Sequence, residues 1–229
     1  NVIGRIQPQK ANRVILCAHW DSRPWSDNDK DAKVRDTPVD GANDGASGVG
    51  VLLEVARQLQ LKQSKIGVDI IFFDVEDMGT PSHKNDVKHL QDTWCLGSQM
   101  WGQSDMGKRS QARFAILLDM VGAPNATFYR ESFSMQWGSN IVDNVWGRAH
   151  KMGFGSYFVN SDGGYITDDH YYIHRHTKIP AIDIIQYDSQ SNTSFGSYWH
   201  TQQDTMDNVD KATLNAVGSV VLGVLYNEK

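Results

Sequence analysis

Three carboxylates fall within four residues, Asp74, Glu76 and Asp77, directly after the apolar run Ile70-Ile71-Phe72-Phe73. Such a run predicts a short strand buried on both faces. Ligands of open α/β sheets bind beyond the carboxyl ends of strands, where these acids lie. Side chains alternate along an extended chain, so Glu76 and Asp77 need not point at the same thing. One can hold a metal while its neighbour moves a proton; a solvated acidic loop is the plainer alternative. His19 and Asp21, two apart at the end of another apolar run, would point the same way, as a ligand imidazole oriented by a carboxylate would. Asp44 stands just before a helical pattern, where an N-cap and a metal ligand are both open readings. Asp119 closes a further apolar run, ahead of Gly122 and Pro124, where a turn residue is the alternative. With His200, these make a set of carboxylates and imidazoles without a thiolate cluster, the donor set of catalytic zinc.

Bringing such residues together requires several parallel elements ending at one edge. Apolar runs predict strands over residues 13–20, 69–73, 112–118 and 179–186, the last with Asp183 in its middle. Helical spacing of Val51, Leu52, Val55, Ala56 and Leu59 predicts a helix over 49–61. Further helices are expected over 94–106, with Leu96, Met100 and Trp101 on one side, over 134–152 with Ile141, Val145 and Trp146 inward, and over 211–226. Residues 23–40, 79–93 and 153–164 read as loops; long loops in compact domains are often functional. No repeat, low-complexity tract or linker divides the chain, so a single domain over 1–229 is expected.

The 229 residues suffice for a real core, and 40% hydrophobic with 21% charged residues is a globular balance. The net charge of −5 with no basic cluster argues against nucleic acid and anionic membrane as partners. No apolar run approaches the ~20 residues of a membrane span, and no signal peptide is visible. Seven Trp, eight Tyr and eight Phe, many in polar, Gly-rich loops, suggest aromatic walls around a pocket. Cys17 reads as a small buried side chain, and a disulfide to Cys95 stays open. The abrupt start at Asn1, close to an expected strand, suggests a processed or trimmed product.

The order and wording of six motifs resemble the M28 zinc aminopeptidase group. They are Ala18-His19-Trp20-Asp21-Ser22, Gly41-Ala42-Asn43-Asp44, Ile71-Phe72-Phe73-Asp74-Val75-Glu76-Asp77, Leu117-Leu118-Asp119-Met120-Val121-Gly122-Ala123-Pro124, Asp168-Asp169-His170 and Trp199-His200-Thr201. Within that group the wording is most similar to the zinc-dependent glutaminyl-peptide cyclotransferases of animals and their bacterial relatives. The resemblance implies an α/β, zinc exopeptidase-like fold: a central mixed, mostly parallel, twisted sheet flanked by helices. It implies one zinc ion on Asp44, Asp77 and His200, Glu76 as general base and acid, and Asp119 and Asp168 hydrogen-bonding around it. Trp199, and less directly Trp94, would wall the substrate pocket. The implied substrates are peptides and proteins with N-terminal Gln, converted to pyroglutamate with release of ammonia. A two-zinc aminopeptidase, with His19 and Asp119 on a second ion and Asp44 bridging, is the alternative. An inactive binding relative is a third reading, against which the complete set of motif residues speaks. Asp77 replaces a Glu of the animal cyclases, and Asp183 a His. Both departures point to the bacterial branch, where a secreted or periplasmic location is expected.

Overall fold

The computed structural model describes residues 1–84 and 93–228. Its strands are β1 (Val2–Ile6), β2 (Arg13–His19), β3 (Gly67–Phe73), β4 (Ala115–Asp119), β5 (Phe128–Arg130), β6 (Phe158–Asp162) and β7 (Ala181–Ile185). Five form the central sheet in the order β1-β3-β2-β4-β7, with β1 antiparallel at one edge and every other pairing parallel. The helices are α1 (Ala46–Leu61), α2 (Leu96–Gln103), α3 (Asp105–Lys108), α4 (Ser132–Lys151), α5 (Asp169–Thr177) and α6 (Lys211–Asn227).

Strand periodicity divides the core into two layers. Val14, Leu16 and Ala18 of β2 face one side and join Val51, Leu52 and Val55 of α1, Val142 and Val145 of α4, and Val217 and Val221 of α6. Ile15 and Cys17 point the other way, to Ile71, Phe73, Leu117, Trp101 of α2 and Ile173 of α5. Each fully buried aliphatic side chain contributes about 1.5–3 kcal/mol, so the uninterrupted burial of residues 14–18 anchors β2 at the centre. From β2 the chain crosses through α1 to β3 on one side, then returns to β4 on the other. That reversal is the topological switch point, and the carboxyl ends of β2, β3 and β4 meet there. The mixed, mostly parallel α/β architecture is the expected one.

Several boundaries differ for identifiable reasons. The helix expected from residue 49 begins at Ala46, and its N-cap is Gly45 rather than Asp44. The helix expected over 94–106 breaks at Ser104, whose hydroxyl accepts from Gly107 N and starts α3. Within α2 the inward residues are Gly97, Ser98 and Trp101, while Met100 lies outside at 73% exposure. The connection over 153–164 contains β6, which pairs parallel with β5. Neither strand has an apolar alternation to announce it. Residues 85–92 of the loop expected over 79–93 lie outside the described residues. Among those described, no helix is long and apolar enough to cross a membrane.

Candidate metal and catalytic site

The acidic stretch is not an extension of β3. The strand ends at Phe73, and Val75 turns the chain with φ +58°, a costly conformation for a β-branched residue. Both oxygens of Asp21 hold that turn, accepting Glu76 N and Asp77 N at 3.0 Å each. Cys95 N and Leu96 N donate to Glu76 O and Val75 O at 2.9 and 3.0 Å. Glu76 and Asp77 therefore part company through a bend, not through strand pleating. The expected Asp21–His19 bond is also displaced: His19 Nδ1 lies 3.6 Å from Asp21 Oδ1, too long for a hydrogen bond.

Asp44 is freed from capping by its neighbours. Gly45 takes φ +69°, and a Cβ there would fall 2.7 Å from His19 Cε1, so only glycine fits. Buried Asp204 accepts Asn43 N at 2.8 Å and Asp44 N at 3.0 Å, fixing the backbone that aims Asp44 inward.

Asp44, Asp77 and His200 converge, all buried, with candidate donor atoms within 4.8 Å of one another. His200 Nε2 lies 3.1 Å from Asp77 Oδ1 and 3.6 Å from Asp44 Oδ2. Metal bonds of about 2.0–2.2 Å set neighbouring donors of a tetrahedron about 3.4 Å apart, so the three side chains fit zinc. Asp77 Oδ2 is buried without a hydrogen-bond partner among the described residues, a cost that coordination would relieve. Asp77 and Asp27 outweigh the effect of burial and hold the His200 imidazole up at about 9. The Trp94 ring lies parallel to His200 at 6.0 Å, and Trp199 stacks on it at 3.8 Å.

A second trio adjoins the first. His19 Nε2 lies 3.0 Å from Asp44 Oδ1 and 3.1 Å from Asp119 Oδ1. Asp119 thus faces His19 and Asp44, while Asp168 stands with Glu76 and Cys95 in a separate group. Cys95 Sγ donates to Glu76 Oε1 at 3.0 Å, and both cysteines are free, so the disulfide left open is not formed. Burial pushes the Glu76 carboxyl well up; His19 opposes this, and Asp168 and Asp77 add to it. Burial likewise lifts Asp119 to about 7, against the pull of His19. Asp168 caps α5 through a bond from Asp169 N, and burial raises its carboxyl too. Asp183 is fully buried behind it, 3.6 Å from His170 Nδ1.

Sequence reasoning missed the residues that brace this centre. Arg23, in a stretch read only as a charged loop, is 1% exposed and bonds Asp27 in two places, at 2.9 and 2.8 Å. It also donates to Asp77 O and Gly79 O at 2.8 and 3.0 Å, and its guanidinium sits 4.5 Å from the Trp94 ring centroid. Asp204 was missed likewise, as was buried Glu131, which accepts Phe133 N and Ile166 N from the cavity wall at 2.8 and 3.1 Å; neither has a motif around it. Of the other expected site residues, Asp44, Glu76, Asp77, Trp94, Asp119, Asp168, Trp199 and His200 all line one cavity of about 530 Å³.

Solved structures and curated proteins resemble the chain over most of its length. A solved glutaminyl cyclase from Tannerella forsythia is 52% identical with a TM-score of 0.96, covering 99% of this chain and 77% of that one. A Zn-dependent exopeptidase from Parabacteroides distasonis gives the same identity, TM-score and coverage. Aminopeptidase YwaD of Bacillus subtilis is 28% identical over 99% of this chain. The chain spans 44% of that curated relative's length. Residues 1–225 match peptidase family M28, and with the sheet order and converging acids it is to this family that the chain belongs.

Proposed function

We propose that the chain is the catalytic domain of a glutaminyl-peptide cyclotransferase, closing N-terminal Gln of peptides and proteins to pyroglutamate with loss of ammonia. The observation that carries this reading is the 52% identity to a glutaminyl cyclase over 99% of the chain. The grouping of Glu76 with Asp168 supports it. Asp44, Asp77 and His200 would hold one zinc ion, whose contribution when bound is to polarise the γ-amide carbonyl. Trp94 and Trp199 wall the space beside His200 and exclude water from the glutamine side chain. Glu76 takes a proton from the α-amine as its nitrogen attacks Cδ. It then returns a proton to the amide nitrogen Nε2, so that the Cδ–Nε2 bond breaks and ammonia leaves. Burial raises the Glu76 carboxyl, with Asp168 and Asp77 adding to it, which favours the protonated form the group must reach after taking the amine proton. Asp168 shares that proton, and the Cys95 thiol holds Glu76 Oε1 in place. The nucleophile belongs to the substrate, so no activated water is required. The proposed setting is secreted or periplasmic, which fractionation of expressing cells checks.

A second reading, a two-zinc aminopeptidase, is favoured by the two contacts of one ring nitrogen. His19 Nε2 has a single proton to share between Asp44 Oδ1 and Asp119 Oδ1, an arrangement a second ion would satisfy. A paired assay on one zinc-loaded sample separates the two readings. Ammonia release from a Gln-initiated dipeptide, abolished by Glu76→Gln, without cleavage of a Leu-initiated amide, is the expected result. Cleavage without ammonia would assign His19 and Asp119 to a second metal.

A further inference from the structure

His170 closes the Asp168-Asp169-His170 motif and Asp183 stands in the middle of β7, yet neither lines the cavity of the proposed chemistry. Both are 0% exposed. His170 Nδ1 and both oxygens of Asp183 have no hydrogen-bond partner among the described residues. Nδ1 lies 3.6 Å from Asp183 Oδ2, too long for a hydrogen bond. Each orphaned buried polar atom is costly, and here three of them meet at one point.

A buried carboxylate decides which nitrogen of His170 is open. Glu131 accepts Phe133 N at 2.8 Å, Ser134 N at 2.6 Å, Ser134 Oγ at 2.7 Å and Ile166 N at 3.1 Å, donors that hold it as an ionised acceptor. His170 Nε2, 3.1 Å from Glu131 Oε2, therefore carries the ring proton and donates it there. In the neutral ring this leaves Nδ1 as a lone pair beside the Asp183 carboxylate, an acceptor among acceptors. Ser134 Oγ also accepts Asp183 N at 3.0 Å, so the start of α4 fixes both sides of the group. A carboxylate on one imidazole nitrogen, with the other left open, is how proteins orient a histidine towards a metal.

Asp168 completes the set. Asp168, His170 and Asp183 each offer a donor atom within 4.8 Å of the other two. The 3.6 Å between Nδ1 and Asp183 Oδ2 is near the donor spacing of about 3.4 Å that tetrahedral zinc requires. One imidazole with two carboxylates suits zinc, whose charge offsets both acids. Asp168 alone of the three lines the cavity, which gives an ion its way in. Asp168 also groups with Glu76 and Cys95, so an ion held on it stands next to the proposed base.

We propose that Asp168, His170 and Asp183 form a further zinc site, distinct from Asp44, Asp77 and His200 and from His19 and Asp119, and that zinc bound there is inhibitory. The ion ties up the carboxylate that otherwise shares a proton with Glu76, and turnover slows as the site fills. The site itself stands on the geometry; its effect on turnover rests on the cyclase reading.

The test titrates zinc into metal-free protein, counting bound ion by competition against a chromogenic chelator. Ammonia release from a Gln-initiated dipeptide is followed over the same titration. A second, weaker equivalent is expected, and ammonia release should rise with the first and fall about tenfold or more as the second binds. Losing a ligand costs at least the roughly 10–100-fold lost with a supporting partner, so Asp183→Asn and His170→Gln should each weaken the second equivalent by that much and remove the inhibition. His19→Gln should keep the second equivalent. Anomalous diffraction at the zinc edge, from crystals of the unaltered protein in excess zinc, locates the ion even where a variant fails to fold. A single equivalent, with the buried acids holding protons instead, would overturn the site. So would a second ion found on His19 and Asp119, lost in His19→Gln and kept in Asp183→Asn. A second ion on Asp168 and Asp183 with undiminished ammonia release would overturn the inhibition. Ammonia at no zinc level, with the ion still found there, would sink the cyclase reading and leave the metal site standing.

Discussion

Replacing Arg23 by Met tests whether the metal site depends on a buried brace that is not itself a metal donor. The substitution keeps most of the side-chain volume but removes the cation from Asp27, from two backbone carbonyls and from the face of Trp94. Removing one partner of a buried ion pair costs about 3–5 kcal/mol, since the other charge is left uncompensated. Asp27 retains His200 Nδ1 at 3.5 Å and Ser82 N at 2.8 Å, which argues for the lower half of that range. Against a total stability of roughly 5–15 kcal/mol, this is a large fraction. At about 2–4 °C per kcal/mol for a chain of this size, the melting temperature should fall by roughly 6–16 °C. Zinc affinity should fall about 10–100-fold, because Arg23 holds the Asp77 carbonyl and lies 3.6 Å from its Oδ1. Scanning calorimetry in chelator gives the first quantity and competition against a chromogenic chelator the second. Adding Asp27→Asn should recover part of the stability without restoring zinc affinity, since His200 Nδ1 then loses its carboxylate partner. A melting shift under about 3 °C with unchanged zinc affinity would refute the reasoning.

Asp204→Asn keeps the shape of a side chain whose two oxygens accept the Asn43 and Asp44 amides, but turns one acceptor into a donor. A cost of about 1–3 kcal/mol is expected, with zinc affinity down about tenfold; equal zinc affinity would show that Asp44 needs no such support. The metal-free protein should lose stability as pH rises. His200 is raised in the fold to about 9, from an unfolded value near 6.5, so its contribution is complete below about 6.5 and gone above about 9. Asp119, raised to about 7, adds a loss between about 4 and 7. Zinc displaces the proton on His200, so thermal scans across pH 6.5–9 should slope downward in chelator and flatten with zinc. A melting temperature that climbs over this range without metal would contradict the sign.

Much of the architecture was legible in the chain. Unbroken apolar runs marked the parallel core strands, since a strand covered by helices on both faces needs no polar alternation. Helical spacing located α1 and α4, the expected last helix over 211–226 is α6, and acids at the ends of the apolar runs marked the edge where a site would form. The short strands β5 and β6 were not legible, because each buries only one residue, Phe128 or Phe158, which leaves no apolar alternation to read.

What the sequence by itself determined is which residue types stand at the ends of which elements, because burial leaves a local and periodic trace. Only the tertiary structure decided which of them meet. The parallel register of β2 with β3 and β4 brings His19, the Val75 bend and Asp119 to one edge. His200 arrives from far along the chain, on a turn with φ +54°. Arg23 and Asp27 under Asp77, Asp204 behind Asp44 and Glu131 behind the cavity wall have no local pattern. Each is specified by the buried groups it must satisfy, and those exist only once distant segments have been packed together.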